Sequence, residues 1–171
     1  MGKINRHSPR VKLIIGFIYK DEAFFFKSRD ILKRRFGKTD FESGAVDFDC
    51  TDYYEKEMGA GLKKRFVSFS RLIPIQELFR IKLYTNKVES RFLDSGRRMV
   101  NIDPGYLDMA KLVLASTKDY AHRIYLGKGV FAEITLSYRG NSFAPNDWTY
   151  PDYRSPEYLN IFNAIRELYA P

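Results

Sequence analysis

A chain of 171 residues, 44% hydrophobic and 16% aromatic, buries one good core and leaves no room for a second domain. Its formal charge of +8 attracts polyanions, which is a statement about partners and not about fold. The lone cysteine, Cys50, excludes an internal disulfide and a cysteine-built zinc cage, and fits a reducing compartment.

Residues 1–10 read as a flexible basic tail and residues 11–171 as a single α+β domain. The run VKLIIGFIY at 11–19 is apolar, of strand length and rich in β-branched residues, which predicts a central strand buried on both faces. It is short, carries Lys12 and is soon followed by Asp21 and Glu22, so it is neither a signal segment nor a membrane span. The protein is therefore expected in the cytoplasm. Asp21 and Glu22 suit the positive first turn of a helix, Phe25, Leu32 and Phe36 recur at helical spacing, and Gly37 ends the pattern. Lys33, Arg34 and Arg35 crowd the last turn, where cations are favoured.

In residues 45–52 Val46, Phe48 and Cys50 alternate with Asp47 and Asp49, which predicts a strand with one wet face, and residues 65–72 alternate again. The intervening YYEKEMGAG reads as a turn. Pro74 stands at a preferred first helical position, and Ile75, Leu78, Phe79, Leu83, Val88 and Phe92 approximate an apolar stripe ending near Gly96. Residues 99–103 predict a short strand. The order so far is βαββαβ, the ferredoxin-like pattern of an antiparallel sheet with helices on one face.

Beyond it, Asp103-Pro104 is a good N-cap and first-position pair that predicts a helix over 104–116, although LVLAS equally suits a strand. Residues 122–126 and 130–138 read as strands joined by Gly127-Lys128-Gly129 in a hairpin. Residues 140–155 form a loop rich in Pro, Asn, Asp and aromatics. Ser155-Pro156 then caps a helix whose Tyr158, Phe162, Ile165 and Tyr169 share a face. The expected fold is thus a ferredoxin-like core extended by a C-terminal β-hairpin and helix.

Two glycine motifs invite a nucleotide reading. Gly127-Lys128-Gly129-Val130-Phe131-Ala132 matches the dinucleotide fingerprint in letters, but the following residues alternate like a strand, and the fingerprint needs a helix there. Gly59-Ala60-Gly61-Leu62-Lys63-Lys64 lacks the Walker spacing and its Ser or Thr, leaving at most a backbone nest for an anion.

Three constellations carry chemistry. Asp47, Asp49, Asp52, Glu55 and Glu57, joined by Asp103, His122 and Glu133, could supply ligands to a divalent metal, with Asp49 and Asp52 as the metal-binding pair. His122 beside Asp103 or Glu133 could move a proton near neutral pH, which makes these three the catalytic candidates. Cations interleave with aromatic rings: Lys63, Lys64, Arg65, Arg71, Arg97, Arg98, Lys118, Arg123 and Lys128 with Tyr53, Tyr54, Tyr106, Tyr125, Trp148, Tyr150 and Tyr153. Cations hold phosphates and flat rings stack on bases, a mixture suited to a nucleotide or single-stranded RNA. No Ser-His-Asp or Cys-His nucleophile pattern can be assembled.

The strings TDYYEKEMG at 51–59, VNIDPGYL at 100–107, AKLVLASTKDYAHRIYLGKG at 110–129 and WTYPDY at 148–153 resemble a family of small prokaryotic proteins described as a domain of unknown function. The resemblance covers nearly the whole chain. It implies a stand-alone single domain and brings no activity, cofactor or catalytic residue with it.

The leading functional expectation is binding of a phosphate-bearing ligand, nucleotide or RNA. Lys82, Lys118, Arg123 and Lys128 would contact the anion, Tyr106 and Tyr125 would stack, and Asn101 and Asp103 would orient a sugar or base. The rivals are a metal-dependent hydrolase or transferase acting on a phosphorylated substrate, and a non-catalytic partner-binding protein with the 148–153 loop as an aromatic anchor.

Overall fold

The computed structural model describes residues 8–49 and 52–169, without the side chains of Asp52, Tyr53 and Lys56. Strand β1 (Arg10–Tyr19) is buried at every position but the first. It sits inside a ten-stranded antiparallel sheet with a strand on each side, as a two-sided apolar run requires. Asp21 then caps helix α1 (Glu22–Phe36) by accepting a 2.8 Å hydrogen bond from the Ala23 N–H, and Gly37 ends it at a φ of +99°, a conformation glycine adopts without strain.

Next come β2 (Thr39–Glu42), β3 (Val46–Asp47), helix α2 (Asp52–Met58) and β4 (Lys63–Phe69). Here the structure corrects two expectations. The strand expected over 45–52 shrinks to two residues, and the expected turn at 53–61 is largely α2. Tyr54 and Met58 stand four apart, the helical interval, and both pack on the buried Phe48 cluster. Cys50 lies outside the described residues.

Strand β5 (Ile73–Pro74) pairs with the start of β1, and one 3-10 turn separates it from α3 (Leu78–Glu89). Pro74 therefore ends a strand instead of opening the helix. The buried face of α3 holds Leu78, Ile81, Lys82, Thr85, Val88 and Glu89. Its inward polar groups hid part of the stripe from an apolar pattern. A two-stranded hairpin, β6 (Leu93–Asp94) and β7 (Arg97–Arg98), leads into β8 (Val100–Leu107) and β9 (Lys111–Ser116).

The helix expected over 104–116 is therefore absent; Asp103-Pro104-Gly105 runs straight through a strand. Strand β8 pairs with β1 over its whole length, Val100↔Tyr19 to Leu107↔Lys12, yet with β9 only over Gly105–Leu107. Pro104 has no N–H to offer a second neighbour, and the β9 ladder stops beside it. At Gly105 an added Cβ would lie 2.5 Å from the Val113 carbonyl oxygen, so glycine permits the close crossing that starts the ladder. Past that crossing β8 and β9 diverge, and the sheet forks.

Strands β10 (Ile124–Gly127) and β11 (Val130–Arg139) form the expected hairpin around Gly127-Lys128-Gly129, all three at positive φ. β12 (Ser142–Pro145) pairs with β11, and helix α4 (Pro156–Glu167) follows, capped by Ser155. The main path across the sheet is β10-β11-β9-β8-β1-β4-β2. Helices α1 and α3 cover one face over a core built on the odd residues of β1. Helix α4 covers the other, where Tyr158, Phe162 and Ile165 meet Ile14 and Phe66. Among the described residues no helix is long and apolar enough to cross a membrane.

Candidate functional site

The fork opens into a cleft of about 340 Å³. Asp103, Leu114, Ala115 and Ser116 line it from the diverging strands, with Ile18, Phe48, Tyr54, Lys64, Lys118, Tyr120, Arg123, Glu133 and the segment Tyr150–Tyr153 around them. The lining carries three cations, Lys64, Lys118 and Arg123, and three carboxylates, Asp103, Glu133 and Asp152. Its formal charge is therefore balanced, although the chain is strongly basic.

Each carboxylate is held by a cation. Asp103 accepts from Lys82 Nζ at 3.1 Å and from Asn101 Nδ2 at 2.6 Å. Lys82 stands on α3, on the far side of the sheet, and reaches the fork, where it also donates to the Ile102 carbonyl at 3.2 Å. Burial alone would push the Asp103 carboxyl up, but the Lys82 and Lys64 ammoniums outweigh it and leave Asp103 below its ordinary range. Behind it Arg98 donates to Asn101 Oδ1 at 2.8 Å and grips Glu57 with two nitrogens. Those bonds hold the Glu57 carboxyl below its usual value. Glu89, buried beside Arg98, accepts from the Ile102 N–H, and burial raises its pKa.

On the β11 wall, Arg123 and Glu133 form a 2.8 Å ion pair whose side chains are 5% and 4% exposed. Arg123 also donates to Ser116 Oγ at 3.1 Å and the Lys118 carbonyl at 3.0 Å, and lies 4.6 Å from the Tyr120 ring. His122 Nε2 is 2.9 Å from Glu133, and its ring stacks between Tyr120 and Trp148. Trp148 donates to the Ile134 carbonyl at 2.8 Å, which ties the 148–153 loop back to β11. Of that loop's aromatics, Trp148 and Tyr150 remain exposed, whereas Tyr153 is buried.

The third wall centres on Lys64, 3% exposed, whose ammonium donates to Asp152 at 2.7 Å. It lies 4.3 Å from the Tyr153 ring and within 5.4 Å of Phe48, Phe66 and Tyr158. Aromatic faces stabilise a desolvated ammonium. Among the described residues Asp152 is its one hydrogen-bond acceptor, and an ammonium has three donors.

The residues expected to form a site divide. Asp103, Lys118, Arg123 and Glu133 line the cleft, and Lys82, Asn101 and His122 support them from behind. Tyr106 does not reach it: the ring is buried in the α1/α3 core, where burial pushes its hydroxyl up to about 12. Tyr125 and Lys128 lie on the exposed β10/β11 hairpin and do not line the cleft. Asp49 is exposed and does not line the cleft, and the Asp52 side chain is outside the described residues. Among the described residues no three His, Cys, Asp or Glu side chains gather to hold a metal ion.

Lys64 and Tyr153 stood among the interleaved cations and rings but had no assigned role in the expected site, and Asp152 was not named. The alternation of Lys64, Phe66 and Ser68 along β4 is a usable signal, because it puts Lys64 on the buried face of Phe66.

No curated protein and no solved structure matches this chain. The profile of one family, described as Domain of unknown function (DUF4416), matches residues 9–169. That span covers both arms of the fork and every residue lining the cleft, and the chain belongs to this family.

Proposed function

We propose that the fork cleft binds a small phosphate-bearing ligand of the nucleoside monophosphate class. The observation that carries this reading is Lys64: a buried ammonium with one hydrogen-bond acceptor among the described residues, facing a cleft walled by Tyr54, Tyr120, Tyr150 and Tyr153. A phosphate placed there would complete the ammonium's hydrogen bonds, and a flat base would stack on the tyrosines. Asp103 and Glu133, each paired with a cation, are acceptors for sugar hydroxyls or exocyclic amines. The balanced lining charge favours one phosphate over a triphosphate, whose extra charge would meet the three carboxylates. A cleft of this size also suits a monomer better than an RNA strand.

Calorimetric titration with the four nucleoside monophosphates, their nucleosides and inorganic phosphate tests the proposal. At least one monophosphate binds more tightly than its nucleoside, in a salt-sensitive manner, and Lys64→Met weakens it roughly tenfold or more, the loss of one charge-assisted bond. Absence of binding by all of them refutes it. We further propose a ferredoxin-like unit, onto which β9–β12 and α4 are built within one domain; the order β8-β1-β4-β2 with α1 and α3 on one face supports it.

A further inference from the structure

Most cations of the two basic blocks lie outside the cleft, whose lining takes only Lys64 from them. Residues 1–40 carry eleven Lys and Arg against four Asp and Glu, and residues 61–100 ten against three. These blocks build α1, β4 and α3. Where the end of α1 meets the start of α3, a groove of about 450 Å³ is lined by Arg35, Arg71, Arg80, Glu77 and Tyr84 over a floor of apolar side chains. Two floor residues, Ile73 and Ile81, belong to the α1/α3 core, whereas Ile18 and Tyr153 of the cleft pack in the clusters of the opposite face.

The two sites differ in how their cations are used. In the cleft, Lys64 and Arg123 are paired with carboxylates. In the groove, Arg80 pairs with Glu77 at 2.8 Å, but Arg35 and Arg71 have no ion pair among the described residues. Arg35 instead lies over the Tyr84 ring at 5.4 Å. Arg34 and Lys38 are exposed close by in sequence. An uncompensated set of arginines in a concavity fits a row of phosphates, because each planar guanidinium binds a phosphate through two parallel hydrogen bonds.

We infer that this groove binds the phosphodiester backbone of single-stranded nucleic acid. A membrane surface is the weaker partner: Phe36, Ile73 and Ile81 in the groove are buried and Pro74 is half-buried, so it offers no fully exposed apolar side chain to insert into a bilayer. Tyr84 supplies a ring at the rim on which a base can stack. The contact is to backbone, so RNA and DNA of one sequence bind alike.

Fluorescence anisotropy with a labelled RNA strand of about 20 nucleotides, the matching DNA strand and phosphatidylserine vesicles tests this at about 50 and 200 mM salt. The native protein binds both strands, more weakly at the higher salt. Arg35→Glu/Arg71→Glu weakens binding at least tenfold and lowers the salt slope by about two. The charge-matched control, Lys128→Glu/Arg139→Glu on the β10–β11 sheet arm, changes affinity by less than about threefold. All four sites are exposed, so thermal melts of both variants are expected to match the native protein. Absence of strand binding, equal loss in the two variants, or binding to vesicles but not to strands overturns the inference. Mononucleotide binding in the cleft stands or falls separately.

Discussion

Replacing Gly105 by alanine tests the origin of the fork. The new methyl would sit 2.5 Å from the Val113 carbonyl oxygen and 2.7 Å from Leu114 Cδ2, whereas ordinary contacts are about 3.5 Å or more. Leu114 can turn aside, but the carbonyl is backbone, so β8 and β9 must part by roughly an ångström where their ladder is only three residue pairs long. Overpacking of this kind costs about 1–3 kcal/mol, which for a chain of this size lowers the melting temperature by roughly 3–10 °C. Gly44→Ala is the matched control, because nothing lies within 4 Å of its added methyl and its φ is not positive. It should be neutral or slightly stabilising. Thermal melts followed by circular dichroism decide the matter. If Gly105→Ala melts within a degree of the native protein, the close crossing does not hold the strands and the explanation of the fork fails.

Further outcomes follow from the buried charges. Arg123→Ala strands the Glu133 carboxylate, 4% exposed, and should cost about 3–5 kcal/mol; a urea midpoint close to the native value would mean that His122 and the Thr135 hydroxyl, which donates to Glu133 at 3.3 Å, suffice to hold it. Glu89 has a pKa raised by burial, so between its unfolded value near 4.3 and its folded value the native state binds the extra proton and stability falls as pH rises. Glu89→Gln removes that loss, and its stability relative to the native protein should improve from pH 4 to pH 7; a constant difference contradicts this. Asp103 has the opposite sign: its carboxyl is lowered, so its contribution is full above about pH 4 and lost as pH falls through the folded value. Asp103→Asn should therefore be costlier at pH 6 than at pH 3, read from the same urea series.

Local signals carried much of the fold. The two-faced apolar run of β1, the Asp21 and Gly37 ends of α1, the glycine hairpin and the Ser155-Pro156 start of α4 each depend on a few neighbouring residues, and each appears where expected. The failures come from signals with two structural meanings. Asp103-Pro104-Gly105 is a good helix start in isolation, but in a sheet it ends a ladder and admits a close crossing. TDYYEKEMG hid α2 because its apolar positions, Tyr54 and Met58, are too few to show a period before Phe48 folds over them.

The site was legible in part for a related reason. The polar residues Asp103, Lys118, Arg123 and Glu133 do line one concavity. Lys64 counted only as one cation of a basic run, because a lysine between charged neighbours reads as solvated surface, and Asp152 was not singled out. Only the register of Lys64 with Ile18, and the rings of Tyr153 and Tyr158, make it buried. Tyr106 failed for the mirror reason: it alternates onto the other face of β8.

The central claim is that the ligand sits in the fork cleft. The most direct measurement is a backbone amide NMR titration with the tightest nucleoside monophosphate. The predicted shifts concentrate at Lys64, Asp103, Ser116–Arg123 and Tyr150–Tyr153, the residues around the cleft, and saturate together. Shifts confined to the α1/α3 groove, or scattered over the surface without saturation, would contradict it.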